Sequence, residues 1–167
     1  LVMETSIQLA KIYNHSIEEA RLAGLLHDCG KFQDKTKILK MIEEFDIILD
    51  NIMGKNTALV HGPLGEAIAK SKYNIHNKNI LNAIRYHTTG RENMSLLEKI
   101  VFIADLIEPS RNFPGVEKMR KLAYENLNKS IIFALNSNIQ FVIERKGLLH
   151  LDTIKARNYL LTLEDME

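Results

Sequence analysis

The sequence sets two ligating side chains next to each other, His27 and Asp28, directly after the apolar run Leu22-Ala23-Gly24-Leu25-Leu26. A carboxylate ending such a run is costly to bury unless it is paired or bound to a cation. Adjacent side chains at a helix end can turn toward one point and ligate together, or they can simply cap the helix. Asp105 stands inside Ile100-Val101-Phe102-Ile103-Ala104-Asp105-Leu106-Ile107. On a helix it faces Phe102 and Val101, so it must be neutral, pair with an arginine, or bind a metal. His61 follows Ala58-Leu59-Val60 and precedes Gly62-Pro63, and His87 closes a segment carrying Ile84 and Tyr86. Each histidine alone reads as a hydrogen-bonded core residue. The five residues together, all at apolar-to-polar transitions, suggest a centre of imidazole and carboxylate donors without thiolate, a set that suits Fe, Mn or Zn.

Cations and hydroxyls flank these positions: Lys31, Arg85, Arg91 and Arg111, with Thr88 and Thr89. Lys and Arg beside a metal clamp phosphate oxygens, although most such side chains are simply solvated. In Thr88-Thr89-Gly90-Arg91, Gly90 permits close backbone approach, the hydroxyls can donate to oxygens, and Arg91 can bind bidentately. His15, His76 and His150 read as ordinary, and Asp152 as a helix cap. Cys29 reads as a small buried residue rather than a nucleophile, and Lys35, Lys37 and Lys40 as a solvated face.

The elements that must hold these groups are helical. Apolar residues recur at helical spacing over residues 3–13, 77–87, 116–126, 129–145 and 153–163, with Asp152 capping the last. Ser16 with Glu19 forms a capping-box pattern opening a helix expected to reach Cys29, where Gly30 would supply a left-handed stop. Ser95 with Glu98 opens residues 96–108, ended by Pro109, and Pro63 suits the first position of a helix over 64–73. Only residues 148–151 could be extended. The 167 residues fit one compact all-α domain. A single cysteine excludes an internal disulfide and a cysteine-based zinc site. A net charge of +1 gives no reason to expect nucleic acid, and no apolar run is long enough to span a bilayer, so no membrane role is expected. The expected setting is the cytoplasm. The chain opens on Leu1, and residues 2–10 already read as the interior of an element, so the natural N-terminus is expected to lie upstream.

The ordered motifs resemble the HD-domain metal-dependent phosphohydrolases. More narrowly, they resemble the YqeK branch of bacterial symmetrical diadenosine tetraphosphate hydrolases. The resemblance rests on Ala23-Gly24-Leu25-Leu26-His27-Asp28-Cys29-Gly30-Lys31, on Tyr86-His87-Thr88-Thr89-Gly90-Arg91 and on Ile103-Ala104-Asp105-Leu106-Ile107-Glu108-Pro109-Ser110-Arg111. Thr153-Ile154-Lys155-Ala156-Arg157-Asn158-Tyr159 adds a C-terminal match, so it covers essentially the whole chain. The resemblance implies one HD domain across residues 1–167 and a metal centre, with iron expected and two ions accommodated, held by His27, Asp28, His61, His87 and Asp105. It further implies catalytic roles for Asp28, Asp105 and Lys31, and phosphate contacts from Lys31, Thr88, Thr89, Gly90, Arg91 and Arg111. The family also carries a metal-binding histidine in a His-Ser-x-x-Val pattern whose end Val2 fits, which places that ligand upstream of Leu1.

The implied reaction is metal-assisted attack of water on phosphorus, splitting diadenosine tetraphosphate into two ADP. One alternative is an HD-type nucleotidase or phosphodiesterase acting on other nucleotides, such as deoxynucleotides. Another is a helical module that senses nucleotides without turnover. In each case the partner is a small nucleotide, and a homodimer is compatible with the sequence.

Overall fold

The segment Leu96–Ile107, α6, is apolar on nearly every side, burying Leu97, Ile100, Val101, Phe102, Ile103, Ala104 and Ile107. A helix apolar all round has to be surrounded by other elements. In the computed structural model, which describes residues 1–164, α6 packs against α1 (Val2–Ile12), α2 (Ile17–Leu26), α5 (Lys78–Tyr86), α7 (Val116–Glu125) and α8 (Leu127–Glu144). Each fully buried Leu or Ile of α6 contributes about 1.5–3 kcal/mol by leaving water. A second, smaller core joins α3 (Lys35–Glu44) to α4 (His61–Lys72) through Ile38, Met41, Val60, Leu64 and Ile68. The last helix, α9 (Leu151–Glu164), lies on α8. Among the described residues there is no strand, and no helix is long and apolar enough to cross a membrane. The all-α reading therefore holds.

Several boundaries differ from expectation for identifiable reasons. The Ser95–Glu98 capping box forms in full, but Ser16 forms only half of one. Its hydroxyl accepts from the Glu19 amide, while the Glu19 carboxylate instead accepts from Asn77 and lies 3.2 Å from His15. α4 begins at His61, so Pro63 is its third residue, a place where a missing N–H costs no helical bond. Residues 148–151 are not extended: α9 starts at Leu151, and the His150 ring rather than Asp152 accepts the first free amide, that of Asp152. The segment holding Lys35, Lys37 and Lys40 is more than a solvated face. Those lysines are exposed, but Asp34 caps a helix there whose Ile38 and Met41 are buried.

Two glycine seams bring the functional helix ends together. α2 stops at Leu26, and Gly30 does not take a left-handed conformation. A Cβ on Gly30 would lie 2.4 Å from both the Gly65 amide and the His61 carbonyl, so its role is close approach of the 27–30 turn to α4. A Cβ on Gly62 would lie 2.3 Å from the Arg85 carbonyl, so α4 and α5 touch through backbone beside His61 and His87. Gly62→Ala should therefore force these helices apart, lowering stability by about 1–3 kcal/mol and weakening metal retention. Urea unfolding and metal analysis check both effects.

Candidate metal centre

All three clustered histidines stand at helix ends, and each is held in the same way. His27 ends α2 and its Nδ1–H donates to the Gly24 carbonyl at 2.8 Å. His87 ends α5 and donates to Ile84 at 2.6 Å, while His61 donates to Ala58 at 2.5 Å, across the Thr57–Leu59 3₁₀ turn. Carbonyls at helix ends lack intrahelical donors, so the ring supplies one three residues on. A carbonyl can only accept, so each Nδ1 carries a proton and each Nε2 turns toward the centre, where it offers a lone pair whenever the ring is neutral. Burial opposes a proton on His27 Nε2, but Asp105 and Asp28 outweigh it and raise that ring above the usual imidazole range.

The Nε2 atoms of His61 and His87 lie 3.0 Å apart. Two lone pairs facing at that distance repel unless a cation sits with them. Burial, and then the neighbouring His87, push His61 below the usual imidazole range, favouring the neutral ring that a metal needs.

Asp28 joins the two sides of the cluster. Its Oδ1 lies 3.4 Å from His61 Nε2 and 3.5 Å from His87 Nε2, and its Oδ2 lies 3.6 Å from His27 Nε2. Asp28, His61 and His87 form a group with donor atoms all within 4.8 Å of one another. His27 Nε2 is 3.7 Å from Asp105 Oδ1, which brings the fifth expected residue to the same place. Burial alone would raise both carboxyls. For Asp28 the contacts with His87 and Lys31 outweigh it and hold the group well below the usual carboxylate range. For Asp105, His27 and Arg111 bring it down to about 2. Both acids are anionic at neutral pH, and with three imidazole nitrogens they form a donor set that fits a divalent transition metal.

The expected phosphate contacts divide into two groups. Lys31 Nζ donates to Asp28 Oδ2 at 2.9 Å, and Arg111 donates to Asp105 Oδ1 at 2.6 Å, so these two cations stand on the carboxylates of the centre. The Thr88 hydroxyl is buried without a partner and borders Gly62. Thr89 donates to the Gly90 carbonyl, and Gly90 makes a left-handed turn (φ 64°) against Ala156. The Arg91 guanidinium is held by a different carboxylate, that of Glu98. Its Nε and Nη2 donate to Glu98 Oε1 at 3.0 and 2.8 Å, while the other Glu98 oxygen accepts from Ser95 N. Glu98 is 1 % exposed, so Arg91→Ala strands a buried charge and should cost about 2–4 kcal/mol. A lower urea midpoint with an unchanged KM is the expected result; a phosphate-clamping arginine would give a raised KM and an unchanged midpoint.

The other histidines stay outside the centre. His15 pairs with Glu19, His76 contacts Asn74, and buried His150 lies 2.6 Å from Asp50 across the fold. That last pairing, like Arg91 with Glu98, left no mark in sequence spacing. The supporting carbonyl three residues before each clustered histidine was legible in principle, because every one of those histidines sits at a helix end.

The HD domain family matches residues 1–110 of the chain. A symmetrical bis(5'-nucleosyl)-tetraphosphatase of Halalkalibacterium halodurans is 44% identical over 96% of this chain and 85% of its own length. The proteins of the same name from Staphylococcus aureus and Bacillus subtilis are 38% and 35% identical, over 95% and 96% of this chain and 82% and 86% of their own lengths. A crystal structure from Clostridium acetobutylicum, described as a predicted HD superfamily hydrolase involved in NAD metabolism, matches with a TM-score of 0.92 and 48% identity. That match covers 96% of this chain and 85% of the other. With helix-end histidines and paired aspartates meeting at one point, and with these relatives aligned along nearly its whole length, the chain belongs to the HD-domain family, among the symmetrical bis(5'-nucleosyl)-tetraphosphatases.

Proposed function

We propose that this chain hydrolyses diadenosine tetraphosphate at its central bridge, giving two ADP, with a transition-metal centre of two ions, iron foremost, held by His27, Asp28, His61, His87 and Asp105. The observation that carries the reading is the Asp28 carboxylate, one oxygen of which faces His61 and His87 and the other His27. Asp28 would thereby help to hold metal together with His61 and His87 through one oxygen and with His27 through the other. When bound, such a centre lowers the pKa of water and polarises a phosphoryl oxygen. Mn and Zn accept the same donors.

The chain's own residues supply the remainder. Asp28 and Asp105, both ionised, neutralise the centre, while the Nδ1 hydrogen bonds hold each imidazole in one orientation. Lys31 and Arg111 offer positive charge at the two carboxylates, where they can meet phosphate oxygens as negative charge builds in the transition state. The partnerless Thr88 hydroxyl is a further donor for such an oxygen. In the balanced reaction the water oxygen ends on one inner phosphorus, the central bridging P–O bond breaks, and its oxygen leaves with the second ADP. A cytoplasmic setting goes with this reading.

A nucleotide panel with chromatographic product analysis tests this. Two ADP for each diadenosine tetraphosphate consumed is the expected result. AMP plus ATP, or brisk turnover of a deoxynucleotide with none of the dinucleotide, would assign the chain to a different HD-type activity.

A further inference from the structure

We infer that Arg120 is a positioning residue for the metal centre, acting through the turn that carries Arg111. The inference rests on the proposed function in one respect, that Asp105 belongs to the centre.

The last carbonyls of α6 lack intrahelical donors, and the guanidinium of Arg120, on α7, supplies them. Its Nε donates to the Ile107 carbonyl at 2.9 Å, and its Nη2 donates to the carbonyls of Glu108 at 2.9 Å and Arg111 at 2.7 Å. The remaining nitrogen, Nη1, donates to Glu117. One planar fork thereby ties the start of the turn to its end. Within the turn, buried Glu108 accepts from the Ser110 amide and hydroxyl. Arg111, at the far end, donates from Nε to the Asp105 backbone carbonyl at 2.8 Å and from Nη2 to the Asp105 carboxylate at 2.6 Å. The contacts thus run from α7 through the turn and Arg111 to a carboxylate of the centre. Every nitrogen of Arg120 that could reach a ligand is engaged by protein, so Arg120 does not meet phosphate itself. A lysine has one nitrogen and no planar fork, so it cannot hold three carbonyls together.

The test measures Mn2+ affinity of the folded protein without substrate, by competition with a chromogenic chelator, at a temperature where each variant is folded by circular dichroism. Arg120→Met keeps the alkyl stem and removes the fork; Arg120→Lys keeps the charge and carries the test should the first variant not fold. Both should weaken Mn2+ binding by about 10–100-fold, the scale of losing support behind a metal ligand. In an Arg111→Ala background, the same substitution should change the affinity by less than about 2-fold, because the connection is already cut. Unchanged Mn2+ affinity in folded Arg120 variants, or the same loss in both backgrounds, would overturn the inference. A wild-type protein that binds no Mn2+, Fe2+ or Zn2+ would instead contradict the metal-centre reading itself.

Discussion

Asp28→Asn should empty the centre and lower turnover of the dinucleotide by at least about 10³-fold, the scale of removing a preorganised charge at a reacting phosphoryl group. The substitution is nearly isosteric, so the helices that bring the histidines together stay packed. What is lost is the single anion lying within 3.6 Å of all three imidazole Nε2 atoms. An amide offers one neutral oxygen, and its nitrogen would turn hydrogens toward whichever lone pairs the oxygen leaves. Both groups of donors are damaged at once. Metal analysis and product chromatography on the purified variant, with circular dichroism as the folding control, read the outcome. Near-wild-type turnover would remove Asp28 from the centre.

Asp105→Ala should give a different, intermediate pattern. Asp28, His61 and His87 remain as a group that could still hold metal, so part of the bound metal should stay. His27 loses its neighbouring carboxylate, and the Arg111 guanidinium loses its partner. Turnover should fall by about 10²-fold. The contrast is the informative part: total loss for Asp28 and partial loss for Asp105 follows from a shared carboxylate. Equal losses for both would favour a single ion held by all five residues.

Much of the centre was legible in the sequence because a polar residue that interrupts an apolar run must answer for its burial. His27, Asp28 and Asp105 stand out on that ground, and His61 and His87 gain weight beside them. α6 was legible for the same reason, being a capping box followed by an almost unbroken apolar stretch. Other features were not legible because one residue type serves two physical ends. Gly30 read as a left-handed stop, yet its lack of a side chain is used for contact with Gly65 and His61. Arg91 carries the chemistry of a phosphate clamp, and only the fold reveals that Glu98, already half of a capping box, also accepts its guanidinium. α3 carries an apolar stripe at helical spacing, Ile38, Met41 and Ile42 with Phe45 just beyond its end, and the lysines between them mask a pattern that the sequence does contain. Arg120 showed no signal because its partners are backbone carbonyls, which spacing along a sequence does not mark.

The most direct test is elemental analysis of the protein purified without added metal, wild type beside Asp28→Asn. The centre described predicts about two first-row transition-metal ions per wild-type chain, iron foremost, and almost none in the variant. A variant retaining the wild-type metal content, or a metal-free wild-type protein that converts diadenosine tetraphosphate to ADP at full rate, would contradict it.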